Sequence, residues 1–267
     1  MAEDKMATSV RLFGRPLLTR SLFASSQRAL AQRYAWQARG VHTGTQPSVL
    51  TERDLRNKTL EPFLTNKSLE QHMEVHKAAV KKLNGLIQNT IYEDYQNIEV
   101  TIRSSVDIRE DILVHNSAAD VFNHNFFWPQ LCPAGDSNPL SEHTLEKFDI
   151  HFDGVEKFIE HFKMHALACH GSGWTWLIDR EGHLEVLTTH NSTTPIAIGE
   201  EVTPVIALDM WEHSYFAEYG NDREAYVDNF FKVLDWEVVE QRLADAERNI
   251  TTLVSKRAKE GPAGLTA

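Results

Sequence analysis

Asp209 and His213 bracket the run Asp-Met-Trp-Glu-His, directly after the uncharged apolar stretch Pro204 to Leu208. A carboxylate at a strand end and an imidazole four residues on can meet at one point. Neutral imidazole nitrogen together with carboxylate oxygen suits iron, manganese or zinc. Alone, this spacing is weak evidence, because such a pair is more commonly a surface acid and a histidine at the edge of a core. His124 lies among aromatics in Asn-His-Asn-Phe-Phe-Trp (123–128), and His72 and His76 stand four residues apart further upstream. Taken singly, each of these histidines reads as a packed, hydrogen-bonded core residue. Two inward histidines from two helices, with the strand-end Asp and His, would supply three nitrogens and one oxygen to a redox metal. Spacing does not show that they converge.

The elements that must position these residues are legible in outline. Leu69, His72, Val75, His76, Ala79, Val80 and Leu83 recur at three- and four-residue intervals and predict a helix over 68–89. Residues 90–105 read as irregular. A second helix is expected from about Ile112 to Trp128, and a third on Phe148, Phe152, Val155, Phe158, Ile159 and Phe162. Between them Pro129, Pro133, Gly135, Asp136, Asn138 and Pro139 cluster as breakers and mark a domain boundary. Three strand candidates follow, at 173–178, 183–189 and 204–208, the first two joined by Asp179-Arg180-Glu181-Gly182. Helical pattern returns from Arg223 to Arg248, and residues 257–267 read as a disordered tail. The expected architecture is therefore α+β, a helical half followed by a mixed half.

The composition of the 267 residues is that of a globular chain, 42% hydrophobic and 24% charged, with no apolar run of the roughly 20 residues that would span a bilayer. Cys132 and Cys169 are the only cysteines, too few for a disulfide framework. Charge is uneven. From Met6 to Thr51 there is no Asp or Glu, while Arg11, Arg15, Arg20, Arg28, Arg33 and Arg39 are spaced among Ser, Ala and Leu. This is the pattern of a mitochondrial transit peptide, placed over residues 1–45. Residues 1–40 carry a net +5, which leaves −16 for the rest of the chain. A domain that acidic is a poor general binder of phosphate backbones, so no strong nucleic-acid patch is expected.

Three blocks carry a resemblance. Asn-His-Asn-Phe-Phe-Trp (123–128), Gly-Ser-Gly-Trp-Thr-Trp-Leu (171–177) and Asp-Met-Trp-Glu-His-Ser-Tyr (209–215) are similar, in order and separation, to the signature blocks of the iron/manganese superoxide dismutases. Residues 60–72 resemble the segment leading to that family's first metal ligand, and Tyr226 to Leu243 its closing helix. The resemblance implies an α-helical hairpin domain (52–132), a C-terminal α+β domain with a small antiparallel sheet (140–246) and a partly disordered extension (247–267). It also implies an iron or manganese ion on His72, His124, Asp209 and His213. Trp174 and Trp211 match the aromatic wall around the metal. Glu212 matches the residue that reaches across a dimer to the partner's last ligand, and His76 the histidine at the gate of the substrate channel.

Departures from the family gather around the chemistry. The gate tyrosine is replaced by Val80, or by Ala79 if the helix is counted from its far end, in which case Gln71 stands in the place of His72 and Val75 in that of His76. The glutamine that contacts metal-bound solvent comes from the place of Asp120 or of Ser192, and a further tyrosine is Phe216. With the import sequence, these losses lead to the expectation of a mitochondrial matrix protein of dismutase fold. It would act as a structural component of the mitochondrial small ribosomal subunit, with dismutase activity reduced or absent. Its partners would be a second copy or a dismutase-fold paralogue, and mitochondrial ribosomal proteins. The alternative expectation is an active mitochondrial iron/manganese superoxide dismutase.

Overall fold

The computed structural model describes residues 59–95, 97–199 and 201–260, with side chains as far as Ser255. The transit-peptide expectation and residues 261–267 lie outside the described residues. Helix α1 (Asn66–Ile87) begins where Thr65, in extended conformation, accepts from the Ser68 N–H. An N-cap of this kind satisfies one of the first unpaired helix donors. Its buried face is Leu69, His72, Met73, His76, Val80 and Leu83. Both histidines are therefore carried inward on the apolar stripe, whereas Gln71 is exposed.

Helix α2 (Ile98–Ser105) occupies part of the stretch expected to be irregular. Its β-branched residues are poor helix formers. The Asn97 cap on the Glu99 N–H and burial of Val100 and Ile102 outweigh that propensity. Helix α3 (Ile112–Phe127) packs against both α1 and α2 and against the sheet. It is buried on most sides, which is why its sequence shows little amphipathic contrast.

The third expected helix is two helices, α4 (Glu142–Phe152) and α5 (Val155–Ala168). Asp153 at φ 63° and Gly154 at φ 110° break it, with the Gly154 N–H bonded back to the Phe148 carbonyl. The apolar period runs through the break because both helices face one core, where the rings of Phe148 and Phe158 lie 4.8 Å apart. The closing helical pattern is likewise α7 (Arg223–Phe230) and α8 (Trp236–Glu260). Helix α8 runs through the segment expected to be a partly disordered extension and into the expected tail, as far as Glu260.

The sheet has the order β2–β1–β3, wholly antiparallel, from β1 (Gly173–Arg180), β2 (His183–His190) and β3 (Val202–Asp209). Positive φ at Glu181 and Gly182 gives the tight turn whose twist matches a β-hairpin. The register sets Trp174 opposite Asp209. After Asp209 the chain enters α6 (Glu212–Tyr219), which carries His213.

Gln130 joins the two halves. Its amide oxygen accepts from the Ala207 N–H at 3.1 Å, and its amide nitrogen donates to the Ala207 carbonyl. The Gln130 carbonyl also accepts from Asp235 N at 2.8 Å. Arg242 adds donors to Gln130 Oε1 and Val205 O, both at 3.0 Å, and to Phe126 O at 2.6 Å. Its guanidinium lies over the Phe126 ring, and burial lowers its pKa to about 9. Replacing Gln130 with Ala would leave a buried N–H and a buried carbonyl of β3 unpaired. Gln130→Ala is expected to lower stability by about 2–4 kcal/mol. The check is a urea titration in which the midpoint falls and the slope is unchanged.

Candidate metal centre

His72 on α1, His124 on α3, Asp209 at the end of β3 and His213 on α6 form one cluster whose candidate ligand atoms all lie within 4.8 Å of one another. At its centre is Asp209 Oδ2, which is 3.0 Å from His72 Nε2, 3.1 Å from His213 Nε2 and 3.6 Å from His124 Nε2. His72, His124 and Asp209 are buried, and His213 is partly open. The ambiguity in the first helix is resolved by geometry: His72 reaches the carboxylate and Gln71 does not.

Several contacts hold these atoms in place. Asp209 Oδ1 accepts from the Trp211 N–H at 2.9 Å, which leaves Oδ2 for the cluster. Tyr226 donates its hydroxyl to the Asp209 carbonyl at 2.8 Å. The start of α1 is tied to α6, because Thr65 N donates to Glu218 Oε2 at 2.9 Å and Tyr219 Oη to Phe63 O at 2.6 Å. These ties set the helix bearing His72 against the helix bearing His213.

The residues fit a metal ion on their own chemistry. His124 Nδ1 lies 2.8 Å from the Asp120 carbonyl. A carbonyl can only accept, so Nδ1 carries the proton and Nε2 presents a bare lone pair. That Nε2 is buried and has no hydrogen-bond partner. An orphaned imidazole lone pair facing a carboxylate and two further imidazoles is what a cation would satisfy. Three imidazole nitrogens and one carboxylate oxygen are a donor set for iron, manganese or zinc.

Burial lowers the pKa of His72 to about 4, against the pull of Asp209, and burial likewise lowers that of His124. Both are the neutral imidazoles that ligation needs. Burial pushes the Asp209 carboxyl up, but His213 and His72 outweigh it and hold it well below the usual carboxylate range. His213, also opposed by burial, is raised by the charge and hydrogen bond of Asp209.

The other expected site residues fall into place unequally. Trp174 is buried, its ring edge-on to His124 at 5.2 Å. Trp211 lies 5.7 Å from the His213 ring. His76 is buried and stacks on His124 at 5.2 Å, accepting on Nδ1 from Trp128 Nε1 at 3.2 Å. Glu212 is exposed beside His213 and lines a shallow cleft of about 330 Å³ with Gln71, Val75, His213, Phe216 and Ala217. His76 is not among the residues that line the cleft. Val80 is buried in the helical core, with Ala79 packed beside it.

Sequence reasoning missed the pairing of Asp120 with Ser192, whose Oγ donates to Oδ1 at 3.0 Å. No local spacing signals it, since the two residues are 72 apart in sequence. It also missed Trp128 as the donor to His76, although that tryptophan closes the block that holds His124.

Two family descriptions match the chain. Residues 50–132 match the iron/manganese superoxide dismutases' alpha-hairpin domain, and residues 140–242 their C-terminal domain. The chain belongs to the iron/manganese superoxide dismutase family. It is 35% identical to the Superoxide dismutase [Fe] of Entamoeba histolytica over 185 residues, 69% of this chain and 93% of the relative. It is 37% identical to the Superoxide dismutase [Mn/Fe] of Rickettsia bellii over 199 residues, 74% and 93% of the two chains. It is 39% identical to the Superoxide dismutase [Fe] of Coxiella burnetii over 182 residues, 67% and 90%. The fold and the iron or manganese donor set expected from the signature blocks are those of this dismutase family.

The buried neutral histidines give the metal-free protein an acid sensitivity of definite sign. His72 and His76 titrate at about 4 and about 3 when folded, against 6.5 when unfolded. The unfolded chain therefore binds more protons below pH 6.5, and stability is lost as pH falls from there toward pH 4. In chelator-treated protein the urea midpoint is expected to fall steadily between pH 7 and pH 5, and less steeply in His76→Gln. A midpoint flat over that range in both proteins would overturn the assigned acid sensitivity.

Proposed function

We propose that this chain holds one iron or manganese ion on His72, His124, Asp209 and His213 and converts superoxide to oxygen and hydrogen peroxide. The observation that carries this reading is the convergence of three histidine nitrogens on one buried carboxylate oxygen, with a bare lone pair on His124. The names of the relatives, iron and manganese/iron superoxide dismutases, support it. A bound ion would supply one-electron redox chemistry, and two superoxide ions with two protons would give one oxygen and one peroxide. The chain's own residues orient the donors and keep water out. Trp174 and Trp211 flank His124 and His213, and Tyr226 and Trp211 N–H hold Asp209.

Proton delivery is the weak part of this site. The cleft beside His213 is lined by Gln71, Val75, Glu212, His213, Phe216 and Ala217 and offers no hydroxyl. Val80 and Ala79 likewise offer no hydroxyl beside His76. Losing such groups commonly costs about 10–100-fold each. The expected turnover lies well below the roughly 10⁸–10⁹ M⁻¹s⁻¹ of a diffusion-limited enzyme.

That same loss favours a second reading, a structural component of the mitochondrial small ribosomal subunit in the matrix, paired with a second copy or a dismutase-fold paralogue. The acid-free, Arg-rich run from Met6 to Thr51 supports the compartment. Sedimentation separates the two readings. A free enzyme stays in the soluble matrix fraction, and a ribosomal component travels with the small subunit.

Purified chain is expected to carry close to one iron or manganese per chain with measurable dismutase activity. His72→Ala should weaken metal retention by about 100-fold or more, read by elemental analysis after dialysis. Full stoichiometric metal in that variant would remove His72 from the site. Absence of both metal and activity in the parent chain would leave the structural reading.

A further inference from the structure

Away from the buried centre, His161 and His165 stand one turn apart on α5, with ring centres 4.8 Å apart and ring planes at 83°. Side chains at i and i+4 of a helix lie side by side, and two histidines so spaced can grip one cation between them. An ion about 2 Å from one nitrogen of each ring lies roughly 3 Å from each ring centre, so centres about 4.5–5.5 Å apart suit a right-angled or tetrahedral bite. The rings of His72, His124 and His213 in the buried centre are spaced comparably, at 5.0, 5.3 and 5.8 Å. Both α5 histidines are partly open to solution, and among the described residues neither ring nitrogen has a hydrogen-bond or ion-pair partner. The helix beneath them is fixed. Phe158, Phe162 and Ala166 are buried, Thr188 Oγ1 donates to the His165 carbonyl at 3.4 Å, and the Phe152 ring lies 5.8 Å from that of His161. Met164, three residues after His161, is 58% exposed. Its thioether is a soft donor on a flexible stem. Lys163, the one cation in this turn, is engaged elsewhere, with Asp228 at 2.7 Å and Glu224 at 2.9 Å.

We propose that His161, His165 and Met164 form a copper site on the exposed flank of α5, separate from the buried centre. Divalent copper binds imidazole donors more tightly than the other divalent first-row ions do, and the thioether extends the grip to monovalent copper. No Asp or Glu of the described residues joins these histidines in a ligand-sized group. Without a carboxylate the site offers little to manganese or ferrous iron. The chain thus carries two sites of opposite preference, a closed one with a carboxylate for iron or manganese and an open one for copper. A second ring pair, His151 and His183, has a similar spacing of 4.9 Å. It is the weaker candidate, because His151 already bonds to the Gly182 backbone and no methionine lies within four residues of either histidine.

The test uses the full chain, loaded with iron, and copper alone as the probe. Affinity is read by competition with a coloured chelator, copper per chain by elemental analysis, and the ligands of divalent copper by electron paramagnetic resonance. The parent is expected to take up one copper per chain beside its iron, with coupling to two imidazole nitrogens. His161→Gln and His165→Gln should each lower the affinity for divalent copper at least about tenfold, and the double variant should lose that one copper. Met164→Leu should stay within about threefold of the parent for divalent copper and fall at least about tenfold for monovalent copper. Undiminished copper in the double variant overturns the site, and so does loss of the same copper in His151→Gln. Equal monovalent affinity in the parent and Met164→Leu overturns the three-donor set. A spectrum of the iron-loaded parent without two coupled nitrogens overturns the site with no variant needed. Failure of the parent to take up iron bears on the buried centre alone, because the copper counted is then the copper that the double variant loses.

Discussion

One carboxylate oxygen, Asp209 Oδ2, faced by three imidazole nitrogens inside the protein, is the constraint on which the rest of the structure depends. Burying an anion is costly, and burying imidazoles without partners is costly too. His72 and His213 answer that charge directly, while the orphaned lone pair of His124 Nε2 is what a cation would satisfy. The cluster also demands that four separate elements arrive at one point within a few ångströms. The helix caps, the interdomain hydrogen bonds and the aromatic packing meet that demand.

The two halves of the chain contribute to the site in equal number, two residues each. Helices α1 and α3 bring His72 and His124, while β3 and α6 bring Asp209 and His213. Neither half can hold the cluster alone. Gln130 reads the edge of β3 as a further strand would, and Arg242 draws the end of α3 onto that strand. Thr65, Phe63, Glu218 and Tyr219 fasten the opposite side. Aromatic rings fill the space between, with Phe63 stacked on Tyr226 and Phe127 on Phe230.

Around this centre the outer layer differs in character from the four donors. The side chains of Val80, Ala79 and Phe216 carry no group that could relay a proton, and Asp120 and Ser192 are hydrogen-bonded to each other. The inner geometry asks only for lone pairs and a charge at fixed places. Turnover asks in addition for protons at the right moment. A chain can therefore keep the first while losing much of the second, and retain the fold throughout.

Much of this arrangement is legible in the amino-acid sequence. The apolar period of α1 and the turn at Glu181-Gly182 follow from local chemistry, because helical and hairpin patterns are written in neighbouring residues. The signature blocks point to the four candidate ligands. What local pattern could not decide was contact between distant segments. Continuous apolar period hid the break at Asp153-Gly154, since both helices pack on one core, and a cap with burial made α2 helical against its β-branched composition. Whether His72 or Gln71 turned inward was open in sequence and was decided by which side of α1 meets Asp209 at the end of β3. The Asp120–Ser192 pair was likewise decided only by folding, because a hydrogen bond between residues far apart leaves no periodic trace in the chain.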